Sequence, residues 1–243
     1  MNKVVLAMPV FNESSIIKKV VLEYMEIGKY VKIQLVLVDD KSTDGTYEIL
    51  KDLAAAHPDE LSVYQNEINQ GHGMTLCRAL QLGLEENPSL IATCDGDGPI
   101  SGEDLRVILE SRTVFDILEI SRKNRVEPFF RKATTELTRF LVLLKSGKMP
   151  NDANTPLRIY EPHVLAELLP KVAGSRVPNL LFSILARRRK FSIVNQQVNV
   201  IERKLNQTGT MWGKGITPRN LPNARFIKFA LKSFMEVVKF NEK

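Results

Sequence analysis

Apolar runs at residues 4–8, 33–38, 61–64 and 90–94 recur through the first hundred residues; the first ends at Pro9 and the other three at polar or acidic side chains. The spacing predicts four buried strands. Between them, apolar residues return at helical intervals: Ile16, Ile17, Val20, Val21, Tyr24 and Ile27 predict a helix that begins at Ser14-Ser15 and stops at Gly28. Further helices are expected over 47–56 and 74–86. Four strand–helix alternations require right-handed crossovers and a parallel sheet, with all four C-terminal loops delivered to one edge.

Beyond Pro99 the pattern loosens. It predicts helices over 103–110, 128–144, 162–169 and 178–186, and strands over 115–120, 157–160, 191–194 and 198–202. Residues 203–220, which hold the sole tryptophan, Trp212, have little periodicity and are expected to form a mobile lid. Residues 224–240 form an amphipathic basic helix, destined either for a membrane surface or for packing on its own domain.

At 243 residues and 44% hydrophobic content, the chain suits one sizeable α/β domain with an appendage. With no apolar run of about 18 residues, no spanning helix is expected. The start lacks a signal-peptide layout, so the expected location is the cytoplasm, with peripheral contact on the cytoplasmic membrane face as an option. Cys77 and Cys94 are unclustered and are expected to be buried thiols; His57 and His163 are expected at helix ends. The net charge of +6 is uneven: residues 1–100 carry 8 basic and 15 acidic side chains, residues 171–243 carry 15 and 3. The C-terminal third is therefore expected to face an anion, whether nucleic acid, an acidic membrane or a pyrophosphate-bearing substrate.

The candidate chemistry lies at the strand ends. There the edge collects Asn12, Glu13, Asp39, Asp40, Gly71, His72, Asp95 and Asp97, which is the sequence argument for a nucleotide site. Asp95-Gly96-Asp97-Gly98 ends the fourth strand with two hard oxygen donors suited to Mg²⁺ or Mn²⁺, although Asp-Gly pairs also form ordinary turns. His72, between two glycines, is expected to touch ribose or phosphate rather than act as a base.

These residues carry a resemblance. Met8-Pro9-Val10-Phe11-Asn12-Glu13, Val38-Asp39-Asp40-Lys41-Ser42-Thr43-Asp44-Gly45-Thr46, Asn69-Gln70-Gly71-His72-Gly73 and Asp95-Gly96-Asp97 resemble the successive signatures of the inverting GT-A glycosyltransferases of family 2. Asn154-Thr155-Pro156-Leu157-Arg158 and 202–210 resemble later motifs of the polyprenyl-phosphate sugar transferases, the dolichyl-phosphate mannose synthase group. The resemblance implies a GT-A fold, a Rossmann-like mostly parallel central sheet flanked by helices, with a basic helical C-terminal extension. It divides the chain into a domain over 1–202, with a nucleotide-binding half at 1–110 and an acceptor half at 111–202, followed by loop and helix over 203–243.

It further implies an enzyme that moves a sugar from a UDP- or GDP-sugar to a polyprenyl phosphate or to a lipid-linked or polysaccharide glycan. Pro9, Phe11, Glu13, Asp40, Gly71, His72 and Asp95 would hold the nucleotide sugar, with Arg122 and Arg131 on its phosphates. Asp95 and Asp97 would bind the metal, and Asp97 and Arg203 would serve catalysis. The pattern departs from those relatives at Gly98-Pro99, where they commonly carry Leu-Gln, and shows no clear base, Glu103, Asp104 and Asp152 being candidates. An ionised phosphate acceptor needs none. The alternatives are a non-catalytic nucleotide-sugar-binding module and a nucleotidyltransferase, which usually needs a glycine-rich basic loop after the first strand. Nucleic acid is not an expected partner, since aromatic content of 7% offers few stacking platforms to accompany Arg187-Arg188-Arg189-Lys190.

Overall fold

A computed structural model describes residues 3–111, 114–123, 129–153, 155, 157–199 and 224–241; of these, the side chains at 122–123, 129–131, 199 and 224–226 are outside the description. The elements in chain order are β1 (Val4–Val10), α1 (Ile17–Met25), β2 (Ile33–Asp39), α2 (Thr46–Ala56), β3 (Leu61–Gln65), α3 (His72–Glu85), β4 (Leu90–Thr93) and α4 (Gly102–Glu110). There follow β5 (Ile117–Lys123), α5 (Phe129–Ser146), β6 (Leu157–Tyr160), α6 (Pro162–Val172), α7 (Pro178–Arg188), β7 (Ile193–Asn199) and α8 (Ala224–Lys239).

The seven strands form one sheet in the order β3-β2-β1-β4-β6-β5-β7. The first four are parallel, β6 runs antiparallel to both β4 and β5, and β7 is parallel to β5. Strand β1 is buried along its whole length, as a central parallel strand covered on both faces must be. Its alternate residues serve two cores. Val5 and Ala7 pack with Leu80 of α3, Leu165 of α6 and Phe182 of α7, whereas Leu6 and Met8 pack with Val20 of α1, Leu50 of α2 and Leu105 of α4. Both cysteines are buried, and burial pushes the Cys77 thiol up to about 12.

Two details differ from the sequence reading. A single strand, β7, replaces the strands expected over 191–194 and 198–202, of which 200–202 lie outside the described residues. The polar run Asn195-Gln196-Gln197 breaks the apolar pattern, but among the described residues β7 ends the sheet and pairs with β5 alone, so backbone bonding holds it without apolar side chains on both faces. Helix α6 continues past Pro170 to Val172, because Leu169 and Val172 both insert into the core. The lid expected over 203–220 lies outside the described residues.

A buried ion network ties the later elements together. Glu119 of β5 accepts from Nη2 of Arg187 at 2.8 Å and Nη1 at 3.2 Å, and lies 3.5 Å from Nε of Arg158 on β6. Arg158 also donates to the carbonyls of Asn179 (2.8 Å) and Ala153 (3.0 Å), and Arg187 to Oγ of Ser183 at 2.7 Å. Arg187 is thus committed to the interior, apart from the surface cations that follow it.

Candidate active site

The loops after β1, β2, β3 and β4 enclose a cleft of about 470 Å³ lined by Pro9, Val10, Phe11, Glu13, Asp40, Asn69, Gly71, His72, Thr75, Asp95, Gly96 and Asp97. That volume suits a small-molecule ligand. The cleft lies beyond the carboxyl ends of the parallel strands, where open α/β sheets place their ligands.

The β1–α1 loop is bolted to the β2–α2 loop. Asn12 adopts a positive φ of 56°. Its N–H donates to Oγ of Ser42 at 2.9 Å, and its side-chain Oδ1 accepts from the N–H of Thr43 at 2.9 Å. The next two amides continue the clasp: Glu13 N–H donates to Oγ1 of Thr46 at 2.8 Å and Ser14 N–H to Asp44 at 3.0 Å. The polar sequence Ser42-Thr43-Asp44-Gly45-Thr46 therefore sets where Phe11 and Glu13 enter the cleft.

Asp40 organises the opposite wall. Its Oδ1 accepts from Nδ2 of Asn66 (2.7 Å) and the N–H of Gln70 (2.8 Å), and its Oδ2 from the N–H of Gly71 (2.8 Å). Gly71 has φ +87°, a conformation that suits glycine, and precedes α3, whose first residue is His72. Across the cleft, Nε2 of His72 lies 3.6 Å from Oδ1 of Asp95. Gly96 brings the β4 loop against β1: a Cβ there would stand 3.1 Å from the carbonyl oxygen of Pro9 and 3.2 Å from the Val10 side chain.

Among the described residues, the cleft is lined by carboxylates with no lysine or arginine beside them. Burial, then repulsion from Asp97, Asp44 and Asp95, raises the Glu13 carboxyl from 4.5 to about 7. A cation in the cleft would offset that repulsion. Asp95 and Asp97 supply hard carboxylate oxygens, the donor type that Mg²⁺ and Mn²⁺ take. Among the described residues no group of three or more His, Cys, Asp or Glu side chains is arranged to hold an ion unaided. An ion here would complete its shell with ligand oxygens, the usual mode for Mg²⁺ beside phosphates. The residues fit such a metal.

The structure brings together Pro9, Phe11, Glu13, Asp40, Gly71, His72, Asp95 and Asp97 from the sequence reading. Arg203, and the side chains of Arg122 and Arg131, lie outside the described residues. Neither Glu103, Asp104 nor Asp152 lines the cleft. Glu103 pairs with Arg106 at 2.6 Å and Asp104 caps α4 with Ser101, so both are occupied elsewhere. Sequence reasoning missed Thr75, one turn into α3, whose Oγ1 accepts from Nδ2 of Asn66 at 3.0 Å. Its spacing of four from Gly71 was the available signal, since that places it on the same helix face as the loop.

This sheet, with an acidic cleft at the ends of its parallel strands, defines a GT-A glycosyltransferase fold. Residues 5–114 match the model of Glycosyl transferase family 2. The structure is similar to glucosyl-3-phosphoglycerate synthase from Mycobacterium tuberculosis in complex with Mn²⁺, UDP and phosphoglyceric acid, with TM-score 0.63 and 13% identity, covering 100% of this chain and 80% of that one. It also resembles mannosyl-3-phosphoglycerate synthase from Rubrobacter xylanophilus, with TM-score 0.59 and 13% identity, covering 98% and 72%. In sequence the chain is 25% identical over 191 residues to undecaprenyl-phosphate 4-deoxy-4-formamido-L-arabinose transferase of Proteus mirabilis, covering 77% of this chain and 57% of that protein. The enzyme of the same name from Photorhabdus laumondii is 26% identical over 191 residues, covering 77% and 58%. The chain thus spans less than two thirds of the length of these curated relatives.

Proposed function

We propose that this protein is an inverting glycosyltransferase that moves a sugar from a nucleotide diphosphate sugar to a polyprenyl phosphate. The observation that carries the reading is the convergence of Glu13, Asp95 and Asp97 on one cleft, where burial first and then repulsion from the aspartates raise the Glu13 carboxyl to about 7. The two sequence relatives, both undecaprenyl-phosphate 4-deoxy-4-formamido-L-arabinose transferases, support the acceptor class.

In this reading Pro9 and Phe11 border the nucleoside, and the loop that Asp40 braces carries Gly71 and His72 to the ribose or phosphates. Asp95 and Asp97 would hold Mg²⁺ or Mn²⁺, which stabilises the charge that develops on the departing nucleoside diphosphate. Glu13, whose carboxyl is raised chiefly by burial, would border the donor beside that metal. The acceptor phosphate attacks from the face opposite the leaving group, which inverts the anomeric centre. Its oxygens are ionised near neutral pH, so no general base is required, in keeping with the engagement of Glu103 and Asp104 outside the cleft. Arg122, Arg131 and Arg203 are assigned to phosphates on the resemblance alone. Contact with the membrane that carries the acceptor belongs to the same reading.

The test is calorimetric titration with UDP and GDP, each with Mn²⁺ and again with EDTA, followed by release of nucleoside diphosphate from the matching sugar donor on addition of undecaprenyl phosphate. Metal-dependent binding and acceptor-dependent release are expected. Binding without release under any acceptor would instead identify a non-catalytic nucleotide-sugar module.

A further inference from the structure

The loop that carries Asp95 and Asp97 is held to the domain by one turn of α1. Tyr24 is wholly buried; its hydroxyl donates to the carbonyl of Ile100 at 2.9 Å and is hydrogen-bonded to Sγ of Cys94 at 3.4 Å. The residue before it, Glu23, accepts from the N–H of Gly102 through Oε1 at 2.7 Å. Gly102 comes so near that a Cβ there would stand 2.9 Å from the carbonyl oxygen of Glu23, a contact that a larger residue could make only by shifting the chain. Residues 94, 100 and 102, on either side of the carboxylates, are thereby tied to two neighbouring residues of a single helix.

Between these ties the loop has little freedom of its own. The N–H of Gly98 donates to the carbonyl of Asp95 at 3.0 Å, closing a tight turn in which Gly98 takes φ +61°. Gly96 lies against the carbonyl of Pro9, and Asp95 and Asp97 line the cleft. The turn therefore sets the two carboxylates relative to each other, and α1 sets the turn relative to the cleft. A phenylalanine at position 24 would fill the same space in the core that holds Cys94, Ile100 and Leu105. Packing alone thus does not call for the hydroxyl, whose burial costs free energy unless it is hydrogen-bonded. The two bonds it makes to Ile100 and Cys94 go to opposite ends of the acid-bearing loop.

We propose that Tyr24, supported by Glu23, is a positioning residue for divalent-metal binding. It touches neither metal nor donor; it holds Asp95 and Asp97 where both can take a cation together with the diphosphate of the donor. The inference rests on the proposed function for the nature of the bound group, and deepens it by naming what arranges the ligands. Groups that orient metal-binding side chains from behind typically account for about 10–100-fold in metal affinity. A tyrosine that served the core alone would behave differently: loss of its hydroxyl would lower the melting temperature and leave the Mn²⁺ requirement where it was.

The experiment is Mn²⁺ titration of the full chain with saturating UDP, or GDP where that binds better, read by electron paramagnetic resonance of the free ion, alongside nucleotide titration in EDTA. Tyr24→Phe should raise the half-saturating Mn²⁺ concentration about tenfold while nucleotide binding in EDTA is nearly unchanged. Amide hydrogen exchange over residues 95–102 should quicken in the same variant, with that of β1 and β2 staying slow. Glu23→Ala should raise the Mn²⁺ requirement several-fold, and Glu23→Gln, which keeps an acceptor for Gly102, should restore most of the affinity; this pair decides the matter if Tyr24→Phe does not fold. Unchanged Mn²⁺ affinity in Tyr24→Phe, or an equal loss of nucleotide binding in EDTA, would overturn the inference. So would an unaltered chain that takes up no Mn²⁺ with either nucleotide, in which case nucleotide binding in EDTA and diphosphate release still judge the proposed function. Tyr24-dependent Mn²⁺ binding without diphosphate release on any polyprenyl phosphate would count against the proposed function alone.

Discussion

The carboxylate of Asp40 accepts the N–H of Gly71 at 2.8 Å across 31 residues of chain, and so joins the end of β2 to the start of α3. The same carboxylate serves Gln70 and Asn66, which makes it the brace of one cleft wall as well as a lining residue. Replacement by alanine strands three donors in a buried setting. Asp40→Ala should therefore lower stability by about 2–4 kcal/mol, read from urea denaturation, and weaken nucleotide binding. Asp40→Asn, which retains an acceptor oxygen, should lose less of both.

Glu13 gives the protein a pH dependence of definite sign. Its folded value of about 7 lies above the ordinary 4.5, so between those values the native state holds more protons than the unfolded chain. Stability should fall as pH rises through that window. Glu13→Gln should remove the slope and raise stability at pH 8 by about 1 kcal/mol, a figure reduced for partial solvent screening. Melting temperatures at pH 5.5 and 8 for both proteins check this, and a Glu13→Gln curve that keeps the full slope would refute the assignment.

Asp97→Ala should reduce turnover by about 10²–10³-fold or more, as expected when electrostatic stabilisation of a leaving group is removed. Melting should be little changed, because the residue sits on a cleft loop rather than in either core. Nucleoside diphosphate release measured with Mn²⁺ and with EDTA should show the unaltered enzyme falling toward the variant when metal is withdrawn. A fully active variant would exclude the proposed mechanism.

Glu119 faces two buried arginines. Glu119→Ala should cost about 3–5 kcal/mol, the usual penalty for leaving buried charge without its partner. The prediction is a large drop in melting temperature rather than a selective loss of nucleotide binding, since the network lies among β5, β6 and α7 and none of its members lines the cleft.

The cleft was legible in the sequence because its chemistry is concentrated where apolar runs stop. Glu13, Asp40, Asp95 and Asp97 each follow a buried strand, and parallel connectivity alone brings such ends together. Thr75 was harder to see, since its spacing of four from Gly71 is a single cue that many threonines at helix starts share. Sheet order past β4 was also out of reach: the pattern predicts strands over 115–120 and 157–160, but not that the later one inserts beside β4 and the earlier one lies outside it. Helix α8 shows a similar limit. Its periodicity defines two faces, yet the face that meets the domain is set by Glu236 reaching Ser175 and by Lys145 closing the helix end.

Within the sheet, the strand that carries Asp95 and Asp97 meets the later half of the chain through one short ladder, Ile91↔Tyr160, Ala92↔Ile159 and Thr93↔Arg158. The family match ends at residue 114, just before β5 begins. Outside the sheet the two halves are not separable: α6 and α7 share a core with β1 and α3, and Gly73 at the start of α3 leaves room for the carbonyl of Arg176, so the later half buttresses the helix that carries His72 and Thr75 into the cleft. A chimaera that keeps residues 1–114 should therefore keep its nucleotide preference only when the α6 and α7 residues packed on α3 and β1, Leu165 and Phe182 among them, are kept as well.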